Sequence, residues 1–319
     1  MKNFEIPAEK PKDDINKPGE NDISVKTKFL ADMTLDDIAK SFTKFAEEER
    51  ITVIPIGFPQ AGKSFLISSL MYYARMGKDT LFKTDLKINF PFDKGKLAAE
   101  EMIAKFKEGA IYATTRKGTL DLIGIDIEPH KKLPILKLAF LDLAGEDVKK
   151  IKTTEGGEFT EKINAVFNGL KFDNSKIIFT LITPFDPAKK TDNPNEDPHN
   201  EEDTLHINFL NYIKETHPDM LKNSTFFIVV SQWDNNKNEK LTVEEFIEKN
   251  RRSIWNYVKH SNVVWGEYSV GKFLVTPSEK KVTLLRINHH YPYNFWKQLY
   301  YICTGKRLDL KTWWEKLLG

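Results

Sequence analysis

The sequence has a single cysteine, Cys303, among 319 residues. One thiol excludes a disulfide within the chain and a metal cluster held by cysteines, and it favours a reducing compartment, so we expect the cytoplasm. Long apolar runs are lacking too, since none reaches the roughly 18 residues that a membrane span requires. Residues 1–28 also lack the apolar core that is typical of a signal peptide. These absences predict a soluble protein.

A strong net charge is the next missing feature. The chain has 48 basic and 46 acidic residues, a formal net charge of +2, which gives no general attraction to nucleic acid or to a membrane surface. The seven histidines are scattered, and only His289 and His290 are adjacent, so we expect no metal site built on histidine. Hydrophobic residues make up 40% of the chain, and this content is enough for a globular core.

Short apolar runs alternate with helical patterns through most of the chain. The predicted strands are ITVIPIGF, TLDLIGIDI, PILKLAFLDLAG, KIIFTLITP, TFFIVVSQWD and KFLVTP, and the turn EPHKK joins the second and third as an antiparallel hairpin. Alternation of this kind predicts an α/β fold, a doubly wound and mostly parallel sheet with one antiparallel hairpin at its edge.

The predicted domain covers residues 29–305, and the charged, proline-containing residues 1–28 are expected to form a flexible tail. Two insertions are expected near residues 80–110 and 186–203, the second of them an acidic exposed loop. Residues 306–319 predict an amphipathic helix with Leu310, Trp313, Trp314 and Leu317 on one face. This helix would pack against the core or, alternatively, dock a partner or a second copy.

A phosphate-binding motif connects the first predicted strand to a helix. The segment from Gly57 to Ser64, GFPQAGKS, fits G-x-x-x-x-G-K-[ST]. Glycines let successive backbone N–H groups turn towards phosphate oxygens, and the helix that follows presents its positive end to the same anion. Lys63 would reach the β- and γ-phosphates, and Ser64 would place its hydroxyl on magnesium. The expected nucleotide contacts in this loop are Gly57, Pro59, Gln60, Ala61, Gly62, Lys63, Ser64 and Phe65.

Two further segments add groups that could act on the γ-phosphate. The strand LAFLDLAGED places Asp142 beside the motif, where its carboxylate could hold a magnesium-bound water. Gly145 would sense the γ-phosphate through its N–H, and Glu146 would orient the attacking water. In the loop YATTRKG a threonine hydroxyl could complete the magnesium shell, with Thr115 as the first choice and Thr114 as the alternative.

Selection of the base is predicted at the end of the strand FFIVVSQWD. The carboxylate of Asp234 could accept two hydrogen bonds from N1 and N2 of guanine, and adenine cannot offer that pair. Thr276 and Ser278, at the end of KFLVTPS, could meet the other edge of the base through their backbone.

Four stretches, in their order along the chain, resemble the GTPases of the translation-factor-related class over roughly residues 50–280. They are GFPQAGKS, YATTRKG, LAFLDLAGED and FFIVVSQWD. GFPQAGKS resembles the Era-type loop most, and TTR resembles the Era switch loop, which implies that Thr115 ligates magnesium. DLAG and SQWD correspond to the third and fourth GTPase motifs, and TPS is a loose version of the fifth. Gln232 stands where the family has a lysine that packs along the base.

The resemblance implies a magnesium-dependent protein that binds GTP or GDP, hydrolyses GTP slowly and switches with its nucleotide state. Its expected partners are guanine nucleotide and a protein effector or regulator, or a second copy of itself. Two alternatives stay open: a nucleotide-bound scaffold that scarcely hydrolyses, and a P-loop ATPase or kinase.

Overall fold

The structure is a computed structural model that describes most of residues 33–308. It leaves out positions 1–32, 60, 77–80, 87–93, 109–119, 131, 144, 150, 152–157, 171–175, 187–199, 238, 262, 277–280 and 309–319. The predicted tail therefore lies outside the described residues, as do residues 309–319 of the predicted C-terminal helix and most of the acidic loop.

Helices and strands alternate along the described chain. The helices are α1 Leu35–Glu47, α2 Lys63–Met76, α3 Lys94–Lys107, α4 Gly145–Val148, α5 Glu158–Gly169, α6 Asn200–Thr216, α7 Pro218–Lys222, α8 Val243–Asn250, α9 Arg252–Val258 and α10 His290–Thr304. The strands are β1 Ile51–Gly57, β2 Phe82–Leu86, β3 Leu120–Pro129, β4 Leu136–Leu143, β5 Ile177–Pro184, β6 Ser224–Ser231, β7 Val263–Glu267, β8 Gly271–Thr276 and β9 Lys281–Ile287.

Seven of the described strands form one sheet in the order β2-β3-β4-β1-β5-β6-β7. The pairs β4-β1, β1-β5, β5-β6 and β6-β7 are parallel, and β3 is antiparallel to both of its neighbours. Every residue of β1 and β5 is buried, as expected for central strands covered by helices on both faces. The predicted α/β fold and its antiparallel hairpin, β3 with β4, are confirmed. Beyond that hairpin lies β2, which we did not predict and which forms the edge.

The strand predicted at KFLVTP belongs to a different sheet. It is β8, and it pairs antiparallel with β9 in a separate two-stranded sheet. The seventh strand of the main sheet is β7 instead, whose register on β6 runs from Phe226 opposite Val263 to Val230 opposite Glu267. KFLVTP is a strand, as predicted, but it lies outside the main sheet, because packing decides which strands join a sheet and local strand propensity does not.

Two helices begin with the caps that their sequences indicate. Thr34 and Asp37 form a reciprocal capping box at α1, and Thr242 and Glu245 form another at α8. The segment TVEEFIEKNRRSIWNYVKH, which begins at Thr242, has one continuous helical pattern in the sequence but forms two helices. It breaks between α8 and α9 at Arg251, whose side chain is fully buried.

The carboxylate of Asp203, on α6, caps the second half of that broken helix from outside. It accepts hydrogen bonds from the N–H groups of Ser253 at 2.8 Å and Ile254 at 2.9 Å. A carboxylate at a helix N-terminus satisfies amides that have no partner within the helix. This cap across the fold explains why helical periodicity alone did not reveal the break.

The helix α10 closes the fold against α2 and the sheet. Its Trp296 is buried, lies edge-on to Phe82 and Phe140, and donates its indole N–H to the Leu70 carbonyl at 3.2 Å. On the same helix Cys303 is buried, and burial raises the pKa of its thiol to about 12. No helix in the described part of the chain combines the length and the apolar run that crossing a bilayer requires.

Candidate functional site

The phosphate loop, residues 57–64, leaves the carboxyl end of the central strand β1 and enters α2. Gly62 has a φ of 90°, in the left-handed region that glycine adopts most readily. A Cβ atom on Gly57 would lie 2.6 Å from the Ile182 carbonyl oxygen of the neighbouring strand, so only glycine fits there. The N–H of Ala61 donates to the Phe58 carbonyl at 3.0 Å and closes the turn. The two glycines of the motif therefore meet two different geometric demands.

Lys63 folds back over this loop. Its ammonium donates to the carbonyl oxygens of Gly57 at 2.8 Å and Phe58 at 3.2 Å, and the residue is buried. The first hydrogen bond within α2 runs from the Leu66 N–H to Gly62, so the amides of the first turn point along the helix axis towards the loop. A buried cation and a helix N-terminus at one place form a site suited to an anion.

For the other predicted nucleotide contacts of the loop, the structure gives the position and burial of three residues and nothing for the fourth. Ser64 and Phe65 lie half-buried in the first turn of α2, and Pro59 is half-buried in the loop itself. Gln60 lies outside the described residues. These four nucleotide contacts stay predictions.

Asp142 lies near the carboxyl end of β4, the strand next to β1, and it is fully buried. Ser64 offers a hydroxyl and Asp142 a carboxylate, which are the hard oxygen donors that magnesium prefers. The described residues contain no group of three or more His, Cys, Asp or Glu side chains that could hold a metal ion. Proteins usually hold magnesium through one or two side chains together with nucleotide phosphates. The residues present fit this ion.

The catalytic residues predicted around Asp142 are only partly placed. Gly145 begins the short helix α4, directly after the strand that carries Asp142. The side chain of Glu146 and all of Thr115 and Thr114 lie outside the described residues. Their catalytic and metal-binding roles stay predictions.

A buried polar network on α6 contacts the end of β1, next to the phosphate loop. His206 on α6 lies 3.3 Å through Nε2 from the carbonyl of Ile56, the residue before Gly57, and 2.8 Å through Nδ1 from the carbonyl of Glu202. Both contacts are with carbonyl oxygens, but complete burial has the larger effect and lowers the pKa of His206 to about 4. The imidazole is therefore neutral at physiological pH.

The same network contains a buried ion pair. Arg251 donates to a Glu202 carboxylate oxygen at 2.6 Å, to the Thr183 hydroxyl at 2.6 Å and to the Pro184 carbonyl at 3.1 Å. Arg251 is 0% exposed and Glu202 is 1% exposed. The pair thus ties α6 and the α8–α9 break to the carboxyl end of β5, beside the phosphate loop. Sequence analysis missed it, because charged residues in a helical pattern usually face solvent.

Ser231, at the end of β6, connects the phosphate loop with the predicted base site. Its hydroxyl donates to the Ala61 carbonyl at 2.8 Å, and its own carbonyl accepts from the Phe185 N–H at 2.8 Å. Three residues later comes Asp234. The loop and the predicted base reader therefore lie along the same edge of the sheet.

Asp234 lies in a short 3-10 helix, Trp233–Lys237, just after β6. One of its carboxylate oxygens accepts a hydrogen bond from the Ser269 hydroxyl at 2.8 Å. The Trp233 N–H donates to the Tyr268 carbonyl at 3.1 Å, and the Tyr268 N–H donates to Val230 at 2.9 Å, so the loops after β6 and β7 are joined. This arrangement fixes the position of the carboxylate.

Ser269 is a site residue that sequence analysis missed. The signal was the short β-branched run VVWGE, followed directly by Tyr268 and Ser269. Thr276 instead ends β8 in the second sheet, and its side chain and all of Ser278 lie outside the described residues. The base contacts expected of Thr276 and Ser278 stay predictions. Gln232 has a φ of 58° and an exposed side chain.

A cavity of about 670 Å³ opens beside Asp234. Its walls come from the 3-10 helix, the Ser269 loop, the end of the β8–β9 hairpin and the start of α10. The lining residues are Trp233, Asp234, Asn236, Lys237, Ser269, Gly271, Arg286, Ile287, Asn288, His289 and Tyr291. Its volume falls within the range of about 300–1,000 Å³ that is usual for small-molecule sites.

Similarity to known proteins is found among solved structures. No protein-family model and no curated protein sequence match the chain. Among solved structures, one described as nucleolar GTP-binding protein 1 from Plasmodium falciparum is similar, with 14% identity and a TM-score of 0.32 over 69% of this chain and 77% of that one. At this identity and TM-score, the likeness identifies neither a ligand nor an activity.

Proposed function

We propose that the protein binds a guanine nucleotide with magnesium, hydrolyses GTP and works as a nucleotide-state switch. The observation that carries the proposal is the placement of three groups along one edge of the sheet. These are the phosphate loop with Lys63 after β1, Asp142 on the adjacent β4 and Asp234 after β6. Ligands of open α/β sheets bind at this carboxyl edge, where strand order reverses.

Each residue would have a distinct role in binding. Lys63 would turn its ammonium from the loop carbonyls to the phosphates, and the first-turn amides of α2 would bind the same oxygens. Ser64 and Asp142 would hold magnesium, which neutralises charge on the transferring phosphoryl group. Asp234 would accept hydrogen bonds from N1 and N2 of guanine, because a carboxylate bonded to Ser269 still has acceptor capacity.

Hydrolysis would depend mainly on positioning. Phosphoryl transfer to water needs an in-line nucleophile and charge stabilisation more than covalent help from the protein. By the resemblance, Glu146 would orient that water, Thr115 would complete the magnesium shell, and the Gly145 N–H would sense the γ-phosphate. Slow turnover that a protein partner or self-association accelerates would make the nucleotide state a signal.

Calorimetric titration of nucleotide-stripped protein with GDP and ADP in magnesium tests the base assignment. We expect GDP to bind more tightly than ADP, and Asp234→Ala to weaken GDP at least about 10-fold, because hydrogen bonds to a charged group contribute about 1.5–3 kcal/mol each. The control variant is Asp219→Ala, which removes an exposed carboxylate on α7. Equal or stronger ADP binding would contradict the guanine assignment and favour the ATPase alternative.

Phosphate release from GTP tests the enzyme assignment separately. We expect measurable turnover that Ser64→Ala strongly reduces and that chelation of magnesium abolishes. Tight GDP binding without turnover, at any protein concentration, would instead leave the nucleotide-bound scaffold as the function.

A further inference from the structure

The β8–β9 hairpin lies beside the predicted base reader. It begins two residues after Ser269 and ends at Ile287, so it stands in the chain between the Ser269 loop and α10. The N–H of Asn288 donates to the Val270 carbonyl at 3.0 Å and joins the end of the hairpin to that loop. Through Ser269, the same loop holds Asp234. The hairpin and the carboxylate are therefore parts of one local structure.

The end of the hairpin also supplies part of the cavity wall. Arg286, Ile287 and Asn288 line the cavity together with Asp234 and Ser269. Arg286 is exposed, so its guanidinium can turn without breaking up a buried network. A guanidinium is planar and stacks on aromatic faces, including those of nucleic acid bases.

We infer that this cavity takes the purine base of the nucleotide, and that Arg286 of the hairpin packs against a face of that base. The inference rests on the proposed function and goes beyond it, because it assigns base affinity to a hairpin outside the nucleotide-binding motifs. Asp234 reads the edge of the base, and Arg286 covers its plane.

Two positions near Asp234, one in the loop after β6 and one at the first residue of the hairpin, supply no contact with the base face. Gln232 is exposed, and it is not among the residues that line the cavity. Gly271 lines the cavity, but it has no side chain to cover a ring. The motif loops thus leave this contact to another element.

The other large or cationic groups of the cavity are placed differently from Arg286. Lys237 lies three residues after Asp234 in a 3-10 helix, where side chains at that spacing are eclipsed, so it shares the wall of the carboxylate. Trp233 is buried and packs edge-on against Phe185 and Phe246, which holds its ring in the core. Arg286 reaches the cavity from a separate sheet and is suited to lie across the plane.

Tyr291, at the start of α10, completes this side of the cavity. Partial burial raises the pKa of its phenol, and the nearby charges of Glu267 and Asp234 raise it further. The phenol therefore keeps its proton at physiological pH and adds no charge beside Asp234. Arg286, Lys237 and His289 are then the basic residues among those that line the cavity, and His289 lies at the start of α10, on the same side as Tyr291.

The test compares two ligands on variants of the full chain in magnesium. GDP reports the base and the phosphates together, whereas inorganic pyrophosphate reports the phosphate loop alone. We expect Arg286→Ala to weaken GDP about 3- to 30-fold, the range for a cation over an aromatic face, and to leave pyrophosphate affinity unchanged. Arg286→Lys should recover part of the loss, and Arg252→Ala, which removes an exposed arginine outside the cavity, should have no effect.

The outcomes separate this inference from the proposed function. If wild-type protein binds GDP through Asp234 and Arg286→Ala changes its affinity less than twofold, the inference is wrong and the proposed function stands. An equal loss for GDP and pyrophosphate would also overturn it, because the contact would then not be with the base. If wild-type protein prefers ADP, the guanine assignment of the proposed function is wrong, whatever the effect of Arg286→Ala.

Discussion

The two ends of the candidate site are built in different ways. The phosphate end, residues 57–64 with Asp142, lies on central strands and rests on the buried network of His206, Glu202 and Arg251. The base end, the 3-10 helix with the Ser269 loop, is held by hydrogen bonds between two loops near the edge strand β7.

The proposed function gives this difference a physical reason. A phosphate group is the same in every nucleotide, so its site gains from a rigid position that packing enforces. The base is the variable part of a nucleotide, and its site lies on loops that can change without disturbing the core. Changes at the phosphate end should therefore affect folding, whereas changes at the base end should affect only ligand choice.

The largest expected effect is on the buried ion pair below the phosphate end. Arg251→Met leaves the Glu202 carboxylate buried without its cation, and we expect a loss of about 3–5 kcal/mol in the free energy of unfolding. Urea denaturation monitored by circular dichroism measures it. The double variant Arg251→Met with Glu202→Leu should recover much of the loss, because no charge then stays buried.

An exposed ion pair provides the matched control for that measurement. Lys222 and Asp219 lie 2.8 Å apart on α7, with their side chains 75% and 86% exposed. Lys222→Met should leave the urea midpoint close to that of wild type, because solvent screens an exposed ion pair. Similar losses at the two pairs would contradict the view that the phosphate end rests on buried charge.

The next effect is a dependence of stability on pH through His206. Its folded pKa, about 4, lies below the usual value of 6.5, so the unfolded chain binds the proton more readily. The contribution of this residue to stability is complete above about pH 6.5 and is lost as pH falls towards 4, at up to about 1.4 kcal/mol per pH unit.

Thermal unfolding of wild type and His206→Asn between pH 7 and 4 tests this effect. The variant should lose stability at pH 7 and show a shallower decline towards pH 4, while His260→Asn, which changes an exposed histidine, should follow wild type. Parallel declines in all three proteins would show that other groups set the acid sensitivity.

The smallest effect is expected for Ser231 and Ser269, each of which donates one hydroxyl hydrogen bond at its own end of the candidate site. The Ser231 hydroxyl bonds the phosphate loop at Ala61, and the Ser269 hydroxyl bonds Asp234. One neutral hydrogen bond contributes about 0.5–1.5 kcal/mol, roughly 2- to 12-fold in affinity, and a bond to a charged group contributes more.

Titrations with GDP and with pyrophosphate distinguish the two serines. Ser231→Ala should weaken both ligands, whereas Ser269→Ala should weaken GDP alone. If Ser269→Ala also reduces pyrophosphate affinity, the two ends are coupled more strongly than their separate hydrogen bonds indicate.

The strand, loop and helix around residues 57–64 were predictable because the information for them is local in the sequence. Eight consecutive residues specify the glycine turns and Lys63, and the strand and helix around them follow from short-range apolar patterns. The antiparallel hairpin was predictable for the same reason, since a short turn joins two neighbouring strands.

The base end was harder to predict, because its structure depends on contacts between segments that are distant in the sequence. KFLVTP was predicted as a strand and VVWGE was not, yet VVWGE pairs with β6, and that pairing brings Ser269 to Asp234. The break at Arg251 was equally hidden. The cap of α9 comes from Asp203, almost fifty residues earlier in the chain. The charge of Arg251 is compensated by Glu202, which lies on the same distant helix.

The burial of Cys303 makes the protein a convenient framework for single-site labelling. Because the only thiol in the chain is enclosed and its pKa is raised to about 12, thiol-directed dyes and spin labels should react with it slowly. A cysteine introduced at Lys272, opposite Arg286 in the hairpin, would then be the dominant point of attachment without prior removal of the native one. Fluorescence or electron resonance from that position could follow the hairpin directly while nucleotides are exchanged.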